Sequence, residues 1–359
     1  MRIGVDAREL QGRPTGVGRY LRNLLAAWPA GDAFVLYFNG APPAGLGVEG
    51  EARAVGPAAH GLLWQERDLP RAARGDGLDV FFAPAYSCPV RLEVPRVTTV
   101  HDLSFVSLPE DFTLRDALRR RLTVGASVRV SRRIVVPSAF TAREVAARYP
   151  ESAGRVRVIP EAAAADIPAV PPPAAGRGGG GFRFLTVGAI LSRRRLPDLL
   201  RALAGLRPRL PGATLDVVGE NRTHPRLDLP ALARRLDLED AVRFHGFVPD
   251  AELAHLYARA DAFVYLSDYE GFGLPVLEAL ARGIPTVTSA RPCLGELFGE
   301  AALLVEPTDH RALLEALVAA AADPRCRAQL SARGPALSAR FTWVAAATRT
   351  RAVLAEAAA

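Results

Sequence analysis

Lysine is missing from the 359 residues: all 45 basic side chains are arginines, set against 38 acidic ones, for a formal net charge of +7. In a chain this rich in alanine, that absence fits a coding bias and excludes no partner. Cysteine is scarce, and Cys88, Cys293 and Cys326 are odd in number, far apart and without a CxxC pair. Such spacing fits reduced, isolated thiols in a cytoplasmic protein better than a disulfide framework or a zinc site. No run of about 18 apolar residues occurs, so no membrane span is expected. The opening Met1-Arg2-Ile3-Gly4-Val5-Asp6 has no apolar core, so no signal peptide is expected either. Aromatics make up only 7% of residues, and the basic stretch Leu114 to Arg133 has none. A nucleic-acid-binding protein, the rival reading from another class, would use such rings as stacking platforms. The excess charge then points to phosphate-bearing ligands or an anionic membrane surface.

What the chain does have is 49% hydrophobic and 23% charged residues, enough for folded cores and, at about 150 residues per domain, for two domains. The break falls at Glu161 to Gly181, where three consecutive prolines and a four-glycine run exclude a helix or a central strand. The expected division is a first domain over 1–165, a linker over 166–181 and a second domain over 182–340, with 341–359 as a closing helix. On both sides of the linker, short apolar runs alternate with helical patterns. Strands are expected at 2–5, 34–38, 80–82, 97–100, 134–136 and 156–159, then at 182–187, 214–218, 242–244, 262–266 and 284–288. Helices are expected between them, including 18–28, 138–149 behind the Ser138 cap, 196–206 and 275–282. This alternation predicts two α/β domains, each a doubly wound parallel sheet, with the carboxyl ends of both sheets facing a central cleft.

The most informative stretch is Asp268-Tyr269-Glu270-Gly271-Phe272-Gly273-Leu274-Pro275-Val276-Leu277-Glu278, which follows an expected strand and opens an expected helix. Gly271 and Gly273 let a ligand approach the backbone, and Pro275 suits the first helical turn. Loop amides at a helix N-terminus suit an anion or sugar hydroxyls, and Glu270 and Glu278 bracket them as acceptors. The same pattern also arises as a capped helix with incidental glutamates. After the strand ending at Val187, Gly188-Ala189-Ile190-Leu191-Ser192-Arg193-Arg194-Arg195 places three arginines before a helix, either a phosphate-binding arrangement or an exposed basic helix start. In the first half, Thr15-Gly16-Val17-Gly18 lies between strand and helix, as a tight turn or a phosphate approach. His101-Asp102 follows another strand, where a histidine is either structural or a hydroxyl contact steered by its carboxylate neighbour. The run Arg115, Arg119, Arg120, Arg121, Arg129, Arg132 and Arg133, interspersed with Leu118, Leu122 and Val124, is either a solvated helix face or a membrane-surface helix.

With Glu270 and Glu278 spaced as E-x7-E, and the similarity continuing through Gly283-Ile284-Pro285-Thr286 to Glu296 and Ala301–Val305, the chain resembles the family 4 glycosyltransferases, retaining enzymes of the GT-B fold, and is mannosyltransferase-like. The resemblance covers nearly the whole chain and is weakest over 41–59 and the linker. It implies an acceptor-side first domain, a second domain that binds a nucleoside diphosphate sugar, and a last helix, capped at Thr342, that returns toward the first domain. It implies that Glu278 binds the donor ribose and Glu270 the transferred sugar, with the amides of Phe272, Gly273 and Leu274, beside Gly271, on the sugar or diphosphate. The family lysine that neutralises the diphosphate matches Arg194, with Arg193 beside it and Arg195 left solvated, and a common family arginine is replaced by Ala189. By the same resemblance Gly16 lies near the diphosphate, His101 contacts the transferred sugar, and the backbone at Phe247 and Val248 meets the nucleobase. The neighbours of Glu296 depart from the family pattern at Pro292, Cys293 and Gly295.

The implied activity is retaining transfer of a hexosyl group, with GDP-mannose as the first expectation, to a hydroxyl of a glycan or lipid-linked glycan in cell-surface polysaccharide synthesis. No cofactor beyond the nucleotide-sugar co-substrate is expected and no metal is required, with His101, Glu270 and Arg194 as the catalytic set. The expected location is cytoplasmic, with a peripheral contact on the inner face of the cell membrane. The rival enzyme reading is a GT-B-fold nucleotide-sugar epimerase or hydrolase, which acts without an acceptor.

Overall fold

The computed structural model describes residues 1–13, 15–44, 50–56, 61–164 and 181–359. The chain divides into two compact units: unit 1 is Met1–Ser107, Leu114–Ala162 and Thr342–Ala359, and unit 2 is Leu108–Thr113 and Ala163–Phe341. Apart from Gly181, the expected linker over 166–181 lies outside the described residues.

Unit 1 is built on a 7-stranded sheet of β1 (Arg2–Asp6), β2 (Ala33–Phe38), β3 (Glu51–Ala54), β4 (Val80–Ala83), β5 (Arg96–Thr99), β6 (Arg133–Val136) and β7 (Val156–Val158). Every neighbouring pair is parallel, in the order β3-β2-β1-β4-β5-β6-β7. Unit 2 carries a 6-stranded sheet of β8 (Arg183–Val187), β9 (Thr214–Val218), β10 (Val242–Gly246), β11 (Ala262–Tyr265), β12 (Thr286–Ser289) and β13 (Leu303–Val305), again all parallel, in the order β10-β9-β8-β11-β12-β13. Each unit therefore starts in mid-sheet, winds one way for two further strands, then returns to the start and winds the other way, the doubly wound Rossmann-like topology.

Strands buried on both faces need apolar residues at every position, and β11 shows how they divide. Ala262 and Val264 enter a layer with Leu199, Leu203 and Leu317, while Phe263 and Tyr265 enter the opposite layer with Tyr257, Val276 and Leu277. Helices cover both faces and supply the crossovers that parallel neighbours require. In unit 1 the final helix, Trp343–Ala358, buries Trp343, Ala346, Ala347, Val353 and Leu354 against β4, β5, β6 and the helix Gly16–Ala26.

Three local differences from the sequence reading have physical reasons. The segment 51–54 has no apolar run yet forms β3, because an edge strand needs backbone pairing more than burial. Its Glu51 takes ion pairs from Arg2 at 2.9 Å and Arg53 at 3.0 Å, and charge at an edge discourages further strand addition. The first helix starts at Gly16 and not Gly18, since the Thr15 hydroxyl accepts from the Gly18 amide at 2.9 Å and caps it there. Leu303–Val305, read only as part of the family similarity, closes the second sheet as β13.

Candidate functional site

In unit 2 the winding reverses between β8 and β11, and open α/β sheets bind ligands at the carboxyl ends of the strands flanking such a reversal. The loops that leave these two strands are the arginine loop and the Glu270 loop, and they are joined to each other. Asp268 N donates to Arg193 O at 2.9 Å, Arg195 Nε donates to Asp268 Oδ2 at 2.5 Å, and Arg194 Nε lies 3.0 Å from Glu270 Oε1. Arg195 was expected to be solvated; it is instead a strut that holds the two loops together, with Asp198 3.8 Å away as a second carboxylate.

Arg194 is the centre of the arrangement. Its guanidinium lies 4.3 Å above the Tyr265 ring, and its side chain and that of Glu270 are 17% and 10% exposed. Stacking on one face while pairing along one edge fixes a planar guanidinium in a way an ammonium cannot copy. Gly188 precedes it at φ 127°, a backbone conformation that favours glycine, and an added Cβ there would make ordinary contact with Arg194 Nη1 at 3.6 Å. Glu270 is fixed in turn by Ser267, whose hydroxyl donates to Oε1 at 2.7 Å. Arg193 is nearly buried too, with Asp111 Oδ2 3.5 Å from Nη1. Burial pushes the Asp111 carboxyl above its usual value, and the nearby guanidinium opposes that shift without cancelling it.

Downstream, Gly273 has φ 109°, and a Cβ there would stand 2.6 Å from Leu294 Cδ2, so only glycine fits both backbone and space. Pro275 follows in the first turn of the helix Leu274–Ala281. Phe272 is 4% exposed, its ring edge-on to Phe298 and Phe341, so this residue meets a ligand only through its backbone. Its carbonyl accepts from the Cys293 thiol at 3.2 Å. Glu278 is buried one turn into the helix, where the Tyr257 hydroxyl donates to Oε2 at 2.8 Å. After β10, Phe247 is exposed and Val248 buried, while Glu296 is exposed on the short helix Leu294–Phe298.

In unit 1, an added Cβ at Gly16 would meet nothing within 4 Å, whereas at Gly18 it would stand 2.4 Å from the Glu9 carbonyl oxygen. Gly18 is thus a packing glycine, and Gly16 is open at the helix N-terminus. His101 follows β5 but is buried, with Nδ1 2.9 Å from Glu161 Oε1 and Nε2 2.8 Å from the Pro84 carbonyl. The carboxylate that steers its ring is Glu161 and not the neighbouring Asp102. Asp102 accepts from Ser104 N at 2.9 Å and from the Tyr86 hydroxyl at 3.0 Å, which leaves it a turn-capping group. On the helix Leu114–Val130, Val124 is buried with Ala117 and Val128, while Leu118 and Leu122 point outward.

The sequence reading missed Tyr265, Ser267, Asp268, Tyr257, Asp111 and Glu161 as partners of these groups. Ser267 and Asp268 had a signal, since they share the Glu270 loop; Tyr265 closes an apolar strand and reads as core. Among the described residues no group of three or more His, Cys, Asp or Glu is arranged to hold a metal ion, and no helix is long and apolar enough to cross a membrane.

Residues 14–165 match the family model described as Glycosyltransferase Family 4, and residues 173–336 match that of Glycosyl transferases group 1. The O-antigen chain mannosyltransferase B of Escherichia coli is 32% identical over 286 residues, covering 76% of this chain and 72% of that protein. The GDP-mannose:cellobiosyl-diphosphopolyprenol alpha-mannosyltransferase of Komagataeibacter xylinus is 34% identical over 164 residues, 45% of this chain and 42% of that one. Among solved structures, the sucrose-phosphate synthase of Thermosynechococcus elongatus superposes with a TM-score of 0.80 at 21% identity, over 99% of this chain and 98% of that one. The two Rossmann-like units have the GT-B fold, and the two family models with the Escherichia coli relative make the chain a glycosyltransferase. Within that class, the chain belongs to glycosyltransferase family 4.

Proposed function

We propose that the enzyme is a retaining hexosyltransferase that moves mannose from GDP-mannose to a hydroxyl of a glycan or lipid-linked glycan during cell-surface polysaccharide synthesis. The observation that carries this reading is the Arg194–Glu270 pair, fixed on Tyr265 between the two loops at the reversal of the second sheet. Arg193 and Arg194 take the donor diphosphate, Glu270 the hydroxyls of the transferred sugar, and Glu278 the ribose. The amides of Phe272, Gly273 and Leu274, beside Gly271, and the open helix start at Gly16 complete the contacts to sugar and diphosphate. His101 contacts the sugar, and the backbone at Phe247 and Val248 meets the base. Bond cleavage leaves charge on the diphosphate, which fixed guanidinium groups and helix N-termini stabilise without reorganising. Glu270 is held by an arginine and a serine, which suits a hydroxyl-binding role better than that of a nucleophile. Retention is carried over from the family resemblance, and attack on the same face as the departing diphosphate is the route that accounts for it. Mannose is favoured because two relatives are named as mannosyltransferases, one of them for GDP-mannose.

We place the enzyme in the cytoplasm, with the helix Leu114–Val130 against the inner face of the membrane. Leu114, Leu118 and Leu122, spaced one turn apart, are 89%, 59% and 65% exposed, and Arg115, Arg119 and Arg129 share their outward arc. An apolar stripe with flanking cations is the pattern of an interfacial helix.

Calorimetry with a panel of nucleotide sugars tests the donor assignment. GDP-mannose should bind tightest, and Arg194→Ala should weaken it by about 10- to 100-fold, as expected for losing charge-assisted hydrogen bonds to a phosphate. Unchanged affinity in that variant would move the diphosphate elsewhere.

A further inference from the structure

We infer that Tyr149, Arg121, Arg129 and Arg148 form a binding site for a phosphate group on the helix Leu114–Val130 of unit 1. The construction starts at Gly125, in the middle of that helix. With no side chain there, the Tyr149 ring packs against the helix backbone. An added Cβ at Gly125 would stand 3.4 Å from Tyr149 Cε1, 3.7 Å from its hydroxyl and 3.8 Å from Arg129 Nη1. Hydroxyl and guanidinium thus border the same notch. Arg121 stands one turn before Gly125 and Arg129 one turn after it, on the same face. Arg148, next to Tyr149 in the chain, has its Cζ 5.5 Å from the centroid of the Tyr149 ring.

Two of these groups lack the partners that buried polar atoms nearly always have. Tyr149 is 3% exposed, and its hydroxyl has no hydrogen-bond partner among the described residues; nor does the buried Nε of Arg121. A buried polar atom left alone is costly, so each calls for a ligand or a water. Among the described residues, the one carboxylate paired with the three guanidinium groups is Glu151, whose Oε1 lies 3.5 Å from Arg129 Nε. Nor are these arginines spent on the end of the helix, where carbonyl charge would repel an anion. Those carbonyls are taken by Arg155, which donates to Val128 O at 2.9 Å, Arg129 O at 3.3 Å and Ser131 O at 2.6 Å. Burial raises the Tyr149 phenol above its usual 10 although Arg148, Arg129 and Arg121 pull the other way, so at neutral pH it keeps a hydrogen to donate. A cluster of donors, three of them permanent planar cations, fits a tetrahedral oxyanion with several charged oxygens. Gly125 and Arg129 continue the stripe of Leu118 and Leu122. The phosphate therefore belongs to a lipid headgroup or to a soluble ester; only the lipid source rests on the proposed membrane contact.

Calorimetric titration of the whole enzyme with inorganic phosphate, beside co-sedimentation with phosphatidylglycerol vesicles, tests the site. Tyr149→Phe removes one oxygen, keeps the net charge and leaves every donor-loop residue in place. A difference from wild type then belongs to this site and not to general attraction between charges. Binding should weaken by about 10-fold in Tyr149→Phe and in Arg121→Gln, as for the loss of one charge-assisted hydrogen bond. Weaker binding to vesicles names a lipid headgroup as the source; weakening confined to free phosphate names a soluble ester. Removing an unpaired hydroxyl should leave the unfolding midpoint level or raise it. A midpoint that falls in Tyr149→Phe would show the hydroxyl already satisfied within the protein and would overturn the inference. The inference is overturned as well if both variants bind phosphate and vesicles as wild type does. If exchanging Leu118 and Leu122 for glutamine then still abolishes vesicle binding, the membrane helix stands and only the phosphate site falls.

Discussion

Glu270 answers to two neighbours at once, and its substitutions separate chemistry from folding. Glu270→Gln keeps the shape and the Ser267 contact but removes the charge paired with Arg194. Transfer should fall by about 100-fold or more, with only a small change in the unfolding midpoint. Glu270→Ala should in addition cost about 3–5 kcal/mol, because a nearly buried guanidinium loses its carboxylate. Initial rates beside thermal denaturation of the two variants check both halves. Residues of this kind were legible in the sequence because they sit in polar loops directly after apolar strands. What surrounds them was not. Tyr265 belongs to a fully apolar strand, Glu161 opens a run of alanines, and the partner of Asp111 lies in a different stretch of chain; a pattern of types and spacings records none of these pairings.

At the scale of elements, the sequence placed the buried parallel strands well, since a strand covered on both faces must be apolar throughout, as 80–83 and 262–265 are. It found the edge strands β7 and β10 but missed the edges β3 and β13, and β3 is Glu-Ala-Arg-Ala with nothing apolar to mark it. The helix Leu114–Val130 shows a different limit. Its composition announced charge with leucine, but only the structure separates the inward Ala117, Val124 and Val128 from the outward Leu114, Leu118 and Leu122. Replacing Leu118 and Leu122 together with glutamine removes exposed apolar surface and so leaves the fold intact. Binding to vesicles rich in phosphatidylglycerol should weaken by at least about 10-fold, since each buried leucine contributes about 1.5–3 kcal/mol. Co-sedimentation measures this, and undiminished binding would assign the surface to another role.

For the whole molecule, arginines gather in the loop after β8, on the outward face of the helix Leu114–Val130, and in ion pairs within each unit. Asp32 is the hub of the last group, taking the Met1 amino group at 2.8 Å, Trp28 Nε1 at 3.1 Å and Arg351 Nε at 2.6 Å. Although burial opposes its ionisation, Arg351, the N-terminus and Trp28 hold the carboxyl down at about 2 against an ordinary 3.8. A lowered value means that the stabilisation is complete above about pH 4 and disappears as the pH falls toward 2. Asp32→Asn should therefore lower the unfolding midpoint at neutral pH, and the gap from wild type should close near pH 2. Thermal denaturation across that range checks the prediction, and a gap that persists in acid would show that the carboxylate charge is not what binds the helix.

That helix also sets the order in which the protein can be completed. Unit 1 spans residues to Ala162 but lacks its last layer until Thr342–Ala359 is made. The 179 residues of chain between them take roughly 10–40 s to synthesise at about 5–20 residues per second. Throughout that interval unit 2 can finish its own sheet, while the strands β4 to β6 wait with the face that Trp343 and Leu354 will cover still open. The nascent first half thus carries an uncovered apolar face through that interval, and the sixteen-residue helix that covers it joins late in folding.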